Sequence, residues 1–146
     1  MFDAFLSHSH KEKAFIEEIA DKLEAHGISV WLDKRQIIPG DSFIDSIEKG
    51  MSLCHTCLIF YGKNTPNGWF KNEIESALIR IAYDKTFRVI PVLLPRANET
   101  NVNNFVKALH WVKFTKKNDD EAFFTLLKGI RRESPGKYIS RDSLSI

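Results

Sequence analysis

The chain has 146 residues, of which 43% are hydrophobic and 27% are charged, and its formal net charge is +2. This composition is that of one globular domain with a sizeable core, and it argues against a disordered chain. So small a net charge excludes a strongly basic nucleic-acid or membrane binder, and no apolar run approaches the ~20 residues of a membrane span. The start of the chain lacks the basic segment and apolar core of a signal peptide, so a cytoplasmic location is expected.

Five short apolar segments, rich in β-branched or aromatic residues, predict strands that are covered on both faces. These segments are 2–7, 28–33, 56–61, 88–94 and 110–115. Their alternation with helical patterns predicts right-handed βαβ units. The predicted fold class is therefore α/β, as a flavodoxin-like, doubly wound, five-stranded parallel sheet with helices on both faces.

Apolar residues at helical spacing lie between the predicted strands. Gly27 is expected to close the first helix, and Asp41 or Ser42 to cap the second. The segment 101–109 is a weaker helix candidate. The four apolar stripes are Phe15, Ile16, Ile19, Ala20 and Leu23; Ile44, Ile47 and Met51; Phe70, Ile74, Ala77, Leu78 and Ile81; and Phe123, Phe124, Leu127 and Ile130.

Two features limit this assignment. Pro91 falls in the fourth strand, where it cannot donate to the ladder, so an edge or a bulge is expected there. After Glu133 the helical period is lost and the chain turns polar. We therefore predict a domain over residues 1–133 and a tail or linker over 134–146.

Cys54 and Cys57 form a C-x-x-C pair, which suggests either a redox site or half of a zinc site. A tetrahedral zinc ion needs two more ligands, and the chain has no second cysteine pair. Redox pairs gain thiolate character from a helix N-terminus, whereas this pair is predicted at the end of a helix, entering a strand. Small buried thiols are the favoured interpretation. His8 and His10 have no partner fixed by spacing, so no metal is predicted.

The familiar chemistries of doubly wound sheets lack their signals. The seven glycines are scattered, which excludes a P-loop or a dinucleotide fingerprint. No aspartate ends the third strand for phosphorylation, and no G-x-S-x-G elbow is present.

Ligands bind at the carboxyl ends of the strands in an open parallel sheet. The loop after the third strand delivers Trp69 and Glu73 into the opening turns of a helix, where a spacing of four places them on one flank. Glu73 is predicted at the shoulder of the buried stripe. A solvated glutamate and a tryptophan at the edge of the core are the commoner roles, so this pair alone does not identify a ligand site.

The loop after the second strand, "WLDKRQIIPGDSF", leaves through Asp33 and turns at Pro39 and Gly40. Its apolar pair, Ile37 and Ile38, is unusual for a loop. Such residues either dock on a partner or pack back on their own domain, and residue type does not separate the two.

Together these segments resemble a Toll/interleukin-1 receptor (TIR) domain of the bacterial, NAD-cleaving kind. "FDAFLSHSH" resembles the first strand of that family, and "HGISVWLDKRQIIPGDSFIDSIEKGM" resembles its second strand and BB loop. "GWFKNEIESAL" matches the W-x-x-x-E of members that cleave NAD⁺. The resemblance covers about residues 2–133.

The resemblance implies that Glu73 is the catalytic glutamate and that Trp69 lines the same cleft. It places Ser7 and His8 where the first loop approaches the nucleotide. Asp33, Lys34 and Phe43 fall on the second-strand end and the loop that closes over the nucleotide. NAD⁺ is then a substrate, and no cofactor is expected.

The resemblance also implies activity that follows self-assembly, in immune or antiviral defence signalling. Other TIR copies would be contacted through the 34–43 loop, with Ile37, Ile38, Pro39 and Gly40 at its tip. A sensor domain or protein beyond the C-terminus would then supply the trigger.

Three functions stay open on the sequence. The preferred one is an NAD⁺ glycohydrolase, which forms ADP-ribose by hydrolysis or a cyclic ADP-ribose isomer by cyclisation. The second is a non-catalytic TIR scaffold for homotypic assembly, although adaptor-type members often lack the glutamate. The third and most remote is a nucleoside deoxyribosyltransferase-like enzyme acting on another N-glycosidic bond.

Overall fold

A computed structural model describes residues 1–32, 39–40, 42–66 and 68–139, without the side chains of His10, Phe43 and Asn101. Within these ranges five strands form one sheet: β1 Phe2–Ser7, β2 Val30–Leu32, β3 Cys54–Tyr61, β4 Arg88–Leu93 and β5 Val112–Lys113. Their order in the sheet is β2-β1-β3-β4-β5, and every pairing is parallel. This is the flavodoxin-like order, so the predicted fold class is confirmed.

Helices cover both faces of the sheet. They are α1 Lys13–Ala25, α2 Phe43–Ser52, α3 Lys71–Tyr83, α4 Asn104–Lys107 and α5 Asp120–Ile130, with 3-10 turns at His10–Glu12 and Glu99–Asn101. One face carries α1 and α5, and the other carries α2, α3 and α4. No helix in the described part of the chain is long and apolar enough to cross a membrane.

The alternation of side chains along each strand builds two separate cores. On β3, Leu58 and Phe60 join the core under α1 and α5, while Ile59 and Tyr61 join the core under α2 and α3. Burial on both faces explains why the strands read as continuous apolar runs.

The helix ends follow the local sequence signals. Gly27 has a φ of +82° and closes α1 in a Schellman motif, in which the Ile28 amide donates to the Leu23 carbonyl at 3.0 Å. Ser42 caps α2 by accepting from the Asp45 amide at 3.2 Å. Both predictions are therefore confirmed, with Ser42 rather than Asp41 as the described capping residue.

The fourth strand accommodates Pro91 as expected. Within the described residues, β5 pairs with Val92 and Leu93 but does not reach Pro91. On the side that faces β5, β4 is therefore an edge strand at Pro91. The missing N–H of the proline removes no hydrogen bond between strands there.

The predicted start of the third strand was wrong by two residues, which misplaced Cys54 but not Cys57. Strand β3 begins at Cys54 rather than at residue 56, so Cys54 and Cys57 both lie in the strand. Both cysteines are buried and neither forms a disulfide, and burial raises the pKa of Cys54 to about 12. A protonated, buried thiol fits the preferred interpretation and not a redox pair.

The buried faces of α2 and α3 are rotated around their helix axes from the predicted positions. Leu78 on α3 is 44% exposed and Ile44 on α2 is 52% exposed, although both were assigned to the core. The buried residues of α3 are Glu73, Ile74 and Ala77. Glu73 and Leu78 are about 140° apart around the helix axis, so a buried face that includes Glu73 leaves Leu78 outside.

Helix α2 lies so close to the sheet that residue 50 has room only for glycine. A Cβ at Gly50 would lie 2.5 Å from the Phe5 ring and 2.6 Å from Trp31 Nε1. Overpacking costs about 1–3 kcal/mol, which exceeds the ~1 kcal/mol of helix propensity that alanine gains over glycine. We therefore expect Gly50→Ala to lower the free energy of unfolding in a urea titration.

Glu48→Ala, at an exposed position of the same helix, is the control and should change stability little. A Gly50→Ala variant at least as stable as wild type would contradict the close packing of α2.

Candidate active site

The carboxyl ends of β1 and β3 meet where the sheet changes winding direction. Ser7 ends β1 beside Ile59 of β3, and β3 continues to Tyr61. In this strand order ligands bind at that switch point. The loops that follow the two strands, 8–12 and 62–70, therefore define the candidate active site.

Glu73 lies in the first turn of α3 and is 6% exposed. The prediction of a position at the shoulder of the core was wrong, because the buried face of α3 includes this residue. A carboxylate that has lost most of its water needs compensation, and the first turn of a helix supplies unpaired N–H groups and a positive dipole end. A buried acid at the switch point is unusual for a surface helix.

Trp69 joins the two loops. Its Nε1 donates to the carbonyl oxygen of His8 at 3.4 Å, and its ring is 41% exposed. The prediction that Trp69 lies within the helix was wrong, because α3 begins at Lys71 and Trp69 occupies the turn ahead of it. The tryptophan and the glutamate nevertheless belong to one short segment at the edge of the sheet.

The first loop supplies three neighbouring polar residues. Ser7 is 4% exposed, and His8 is half-buried with its Nδ1 2.9 Å from the Ser9 carbonyl oxygen. Ser9 is 2% exposed, and its hydroxyl has no hydrogen-bond partner in the described part of the chain. The Trp69 side chain thus contacts the first loop at His8, the residue that follows Ser7. The predicted roles of Ser7 and His8 in nucleotide binding stay predictions.

A second contact between the two loops was not predicted. The carboxylate of Glu12 occupies the space where a side chain at residue 62 would begin, so Gly62 is needed for this approach. The Gly62 amide donates to Thr65 Oγ1 at 2.8 Å, and this hydroxyl is buried. No pattern in the sequence pairs Glu12 with Gly62, because fifty residues separate them.

Tyr61 supports the turn in front of α3 from below. Its ring packs edge-on against Phe70 at a centroid distance of 5.0 Å, and its hydroxyl donates to Asn103 Oδ1 at 3.0 Å. Burial raises the pKa of Tyr61 to about 12, and the neighbouring Cys57 and Glu73 add to this rise. An aromatic residue at a strand end was the only sequence signal for this role.

The second loop contributes little to the described site. Asp33, Lys34, Ile37 and Ile38 lie outside the described residues, as does the side chain of Phe43. Pro39 and Gly40 are exposed in a turn, where Gly40 has a φ of +97°. The predicted roles of these residues stay predictions.

Two further observations concern the rest of the described chain. No group of three His, Cys, Asp or Glu side chains is placed to hold a metal ion within the described ranges. A groove of about 570 Å³ lies along β5 and the start of α5, where Trp111 and Asp119 are among its lining residues. None of the predicted site residues lines that groove, so it is not the candidate active site despite its volume.

The fold and the loop contacts define a flavodoxin-like domain with a buried carboxylate at its switch point. The family model described as "TIR domain" matches residues 4–127. The chain belongs to the TIR domain family. The crystal structure of the TIR domain of the Toll-related receptor TRR-2 from Hydra magnipapillata has the same fold, with a TM-score of 0.68 and 20% identity over 90% of this chain and 99% of that one.

Curated relatives of the chain carry enzyme names. The chain is 27% identical over 93 residues to NAD(+) hydrolase TcpC of Escherichia coli O6:H1 (strain CFT073). The matched segment covers 62% of this chain and 30% of that protein. It is 26% identical over 140 residues to the probable 2' cyclic ADP-D-ribose synthase TcpO of Methanobrevibacter olleyae. This match covers 90% of this chain and 39% of that protein. The chain thus spans about a third of the length of these relatives.

The environment of Tyr61 can be tested by titration. The pKa of the phenol is about 12 in the folded protein against an ordinary 10.0, so the unfolded chain loses this proton first as the pH rises. We expect stability to fall between pH 10 and 12, and Tyr61→Phe to make that fall shallower. Urea unfolding at several pH values measures the slope, and phenolate absorbance follows the tyrosines directly.

Tyr83→Phe is the matched control, because Tyr83 is 88% exposed and should not change the slope. Cys54 contributes in the same direction in all three proteins. A Tyr61→Phe protein with the wild-type slope would show that Tyr61 titrates normally.

Proposed function

We propose that this chain cleaves the bond between nicotinamide and ribose in NAD⁺, with Glu73 as the catalytic carboxylate. The observation that carries this proposal is the 6% exposure of Glu73 in the first turn of α3, at the switch point of the sheet. The names of the two curated relatives, which refer to NAD⁺ hydrolysis and to cyclic ADP-ribose synthesis, support the same substrate.

The chemistry needs few catalytic groups. Nicotinamide departs from NAD⁺ as a neutral molecule, so its leaving requires no general acid. This differs from the paired carboxylates of glycosidases. The bond breaks through an oxocarbenium-like transition state, and an ionised Glu73 stabilises the positive charge that develops on the ribose. Neither a metal nor a cofactor is required by this route.

The first loop and Trp69 would hold the substrate. Trp69 keeps 41% of its surface exposed, which leaves a flat apolar wall for nicotinamide or ribose to stack on. Ser7 and His8 bring polar atoms to the same edge of the sheet. Asp33, Lys34 and Phe43 would close the cleft from the second loop.

Hydrolysis and cyclisation share the first step of this reaction. Water captures the ribosyl cation to give ADP-ribose, whereas a hydroxyl or a ring nitrogen of the same molecule captures it to give a cyclic isomer. A cleft that excludes water favours the cyclic product. The two curated relatives are named for one outcome each, and this chain would form either product from the same cation.

We further propose that activity follows self-assembly in defence signalling, in the cytoplasm. The 34–43 loop, with Ile37 and Ile38, would contact another TIR copy and complete its cleft. A sensor domain or protein beyond the C-terminus would bring the copies together.

A non-catalytic scaffold is the second candidate function. It is favoured by the exposed apolar residues of α3, where Ile79 is 61% exposed and Tyr83 is 88% exposed. Apolar groups that remain in water on one helix face are typical of a protein contact.

Removal of the Glu73 charge tests the enzymatic proposal. We expect Glu73→Gln to release nicotinamide from NAD⁺ about 10²–10³-fold more slowly than wild type, because the transition state loses its electrostatic partner. Nicotinamide is measured by chromatography, with the protein both dilute and clustered through a fused oligomerisation tag.

Glu75→Gln is the matched control, because Glu75 is exposed on the same helix two residues further on and should retain full activity. Equal rates for Glu73→Gln and wild type, or no release even from clustered protein, would support the scaffold. Release of a base from nucleosides in the same assay, without release from NAD⁺, would support the deoxyribosyltransferase-like alternative.

Mutation can separate the aromatic wall that Trp69 provides from its indole hydrogen bond to His8. Trp69→Phe keeps an aromatic wall and loses the indole donor to His8, so we expect a modest loss of kcat/KM for NAD⁺. Trp69→Ala removes the wall as well, and the loss should be about tenfold or more, by analogy with base stacking on aromatic residues.

Trp111→Ala is the control, since Trp111 is 38% exposed and lies beside β5, away from the candidate site. If Trp69→Ala and Trp111→Ala had the same kcat/KM, stacking on Trp69 would play no part in catalysis.

A further inference from the structure

A second cavity lies at the opposite end of the sheet from Glu73. It has a volume of about 410 Å³ and is bounded by the last turn of α3, the start of β4, α4 and the segment after α5. Cavities of about 300–1,000 Å³ are typical of small-molecule sites. Glu73 and Ile81, which lines this cavity, are eight residues apart on α3, or about 12 Å along its axis.

The walls of this cavity are apolar. Phe87 is buried beneath it, while Phe105 and Leu109 on the α4 side are half-buried. The Arg80 guanidinium lies over the Phe87 ring, 4.9 Å from the ring centroid. These groups offer a preformed apolar surface to a ring or a short alkyl chain.

The rim of the cavity is cationic. Lys85, Arg88 and Arg132 are exposed lining residues, and no carboxylate is among the lining residues. In the described part of the chain, Lys85 and Arg88 form no ion pair. Arg132 uses one Nη2 hydrogen bond, at 3.0 Å, to the carbonyl oxygen of His55, and its charge is not neutralised.

The negative groups nearby do not cancel these three charges. Asp84 is the adjacent carboxylate, and its oxygens already bind the Thr86 amide at 3.0 Å and Arg80 Nη2 at 3.2 Å. The carbonyl ends of α3 and α5 also lie at this end, each equivalent to about half a negative charge. Asp84 is offset by Arg80 and Glu133 by Lys128, so about two of the three rim charges are left for a ligand.

We infer that this cavity is a binding site for a small organic anion, in which an apolar ring or chain lies on Phe87, Phe105 and Leu109 while a carboxylate, sulfonate or phosphate meets Lys85, Arg88 and Arg132. The site is separate from the proposed NAD⁺ cleft and does not depend on it. Its specificity comes from the combination, because a bare inorganic anion leaves the apolar wall unused and a neutral ring leaves the cations solvated.

A fluorescent aromatic sulfonate, 1-anilinonaphthalene-8-sulfonate, has both features and tests the site directly. We expect saturable binding to the full chain with enhanced fluorescence. Arg88→Gln should weaken binding about tenfold, the size expected for one lost charge-assisted hydrogen bond, and Arg88→Gln with Arg132→Gln should weaken it further. Lys49→Gln removes one exposed charge from α2 and is the matched control.

Competition identifies the class of natural ligand. Displacement of the probe by octanoate indicates an aliphatic carboxylate, and displacement by adenosine monophosphate indicates an aromatic phosphate. Inorganic phosphate at the same concentration should displace little. Equal affinity of the probe for Arg88→Gln and Lys49→Gln, no saturable binding, or displacement by inorganic phosphate as effective as by the organic anions would overturn the inference.

Cross-peak shifts in an amide NMR titration provide a second measurement that needs no variant. Residues 85–89 and 105–109 should shift with the probe while residues 69–76 stay in place. Shifts confined to 69–76 would place the probe in the NAD⁺ cleft instead and would also overturn the inference.

Discussion

The central constraint on this domain is the placement of one acidic side chain where water is largely excluded. An uncompensated carboxylate in an apolar environment costs several kcal/mol, so Glu73 is tolerated only because of its surroundings. It lies in the first turn of α3, where the helix dipole is favourable. The turn that begins this helix is in turn held by Tyr61 and Phe70 below and by the Trp69 contact with His8 beside it. The candidate active site is therefore a property of two loops and one helix end acting together.

The two cores of the sheet keep these parts in register. Strand β3 contributes side chains to both cores and ends at Tyr61, so it fixes the level at which the loop of residues 62–70 begins. The Glu12 carboxylate packs against Gly62, where that loop meets the turn before α1. A rigid edge of this kind allows catalytic groups on loops to keep a defined geometry.

The sequence predicted the architecture well because its signals are local or periodic. Strand and helix patterns, the glycine that ends α1 and the serine that caps α2 each depend on a few neighbouring residues. The rotation of α3 was missed because the pattern scores Leu78 as core and Glu73 as shoulder, whereas packing buries the glutamate and exposes the leucine. The contacts of Tyr61 with Asn103 and of Glu12 with Gly62 join residues far apart in the chain, so no local pattern contains them. Trp69 and Glu73 were found because a family motif, rather than their spacing, marked them.

The burial of the two thiols of β3 determines how this domain responds to oxidants. Cys54 and Cys57 are completely covered, and only a thiolate reacts quickly with peroxides or electrophiles. Such reagents therefore reach these sulfurs only when the central strand separates from its neighbours, which is a near-global opening. Oxidation of this pair would mark molecules that had already lost their fold, and folded copies would keep both thiols reduced under the same stress.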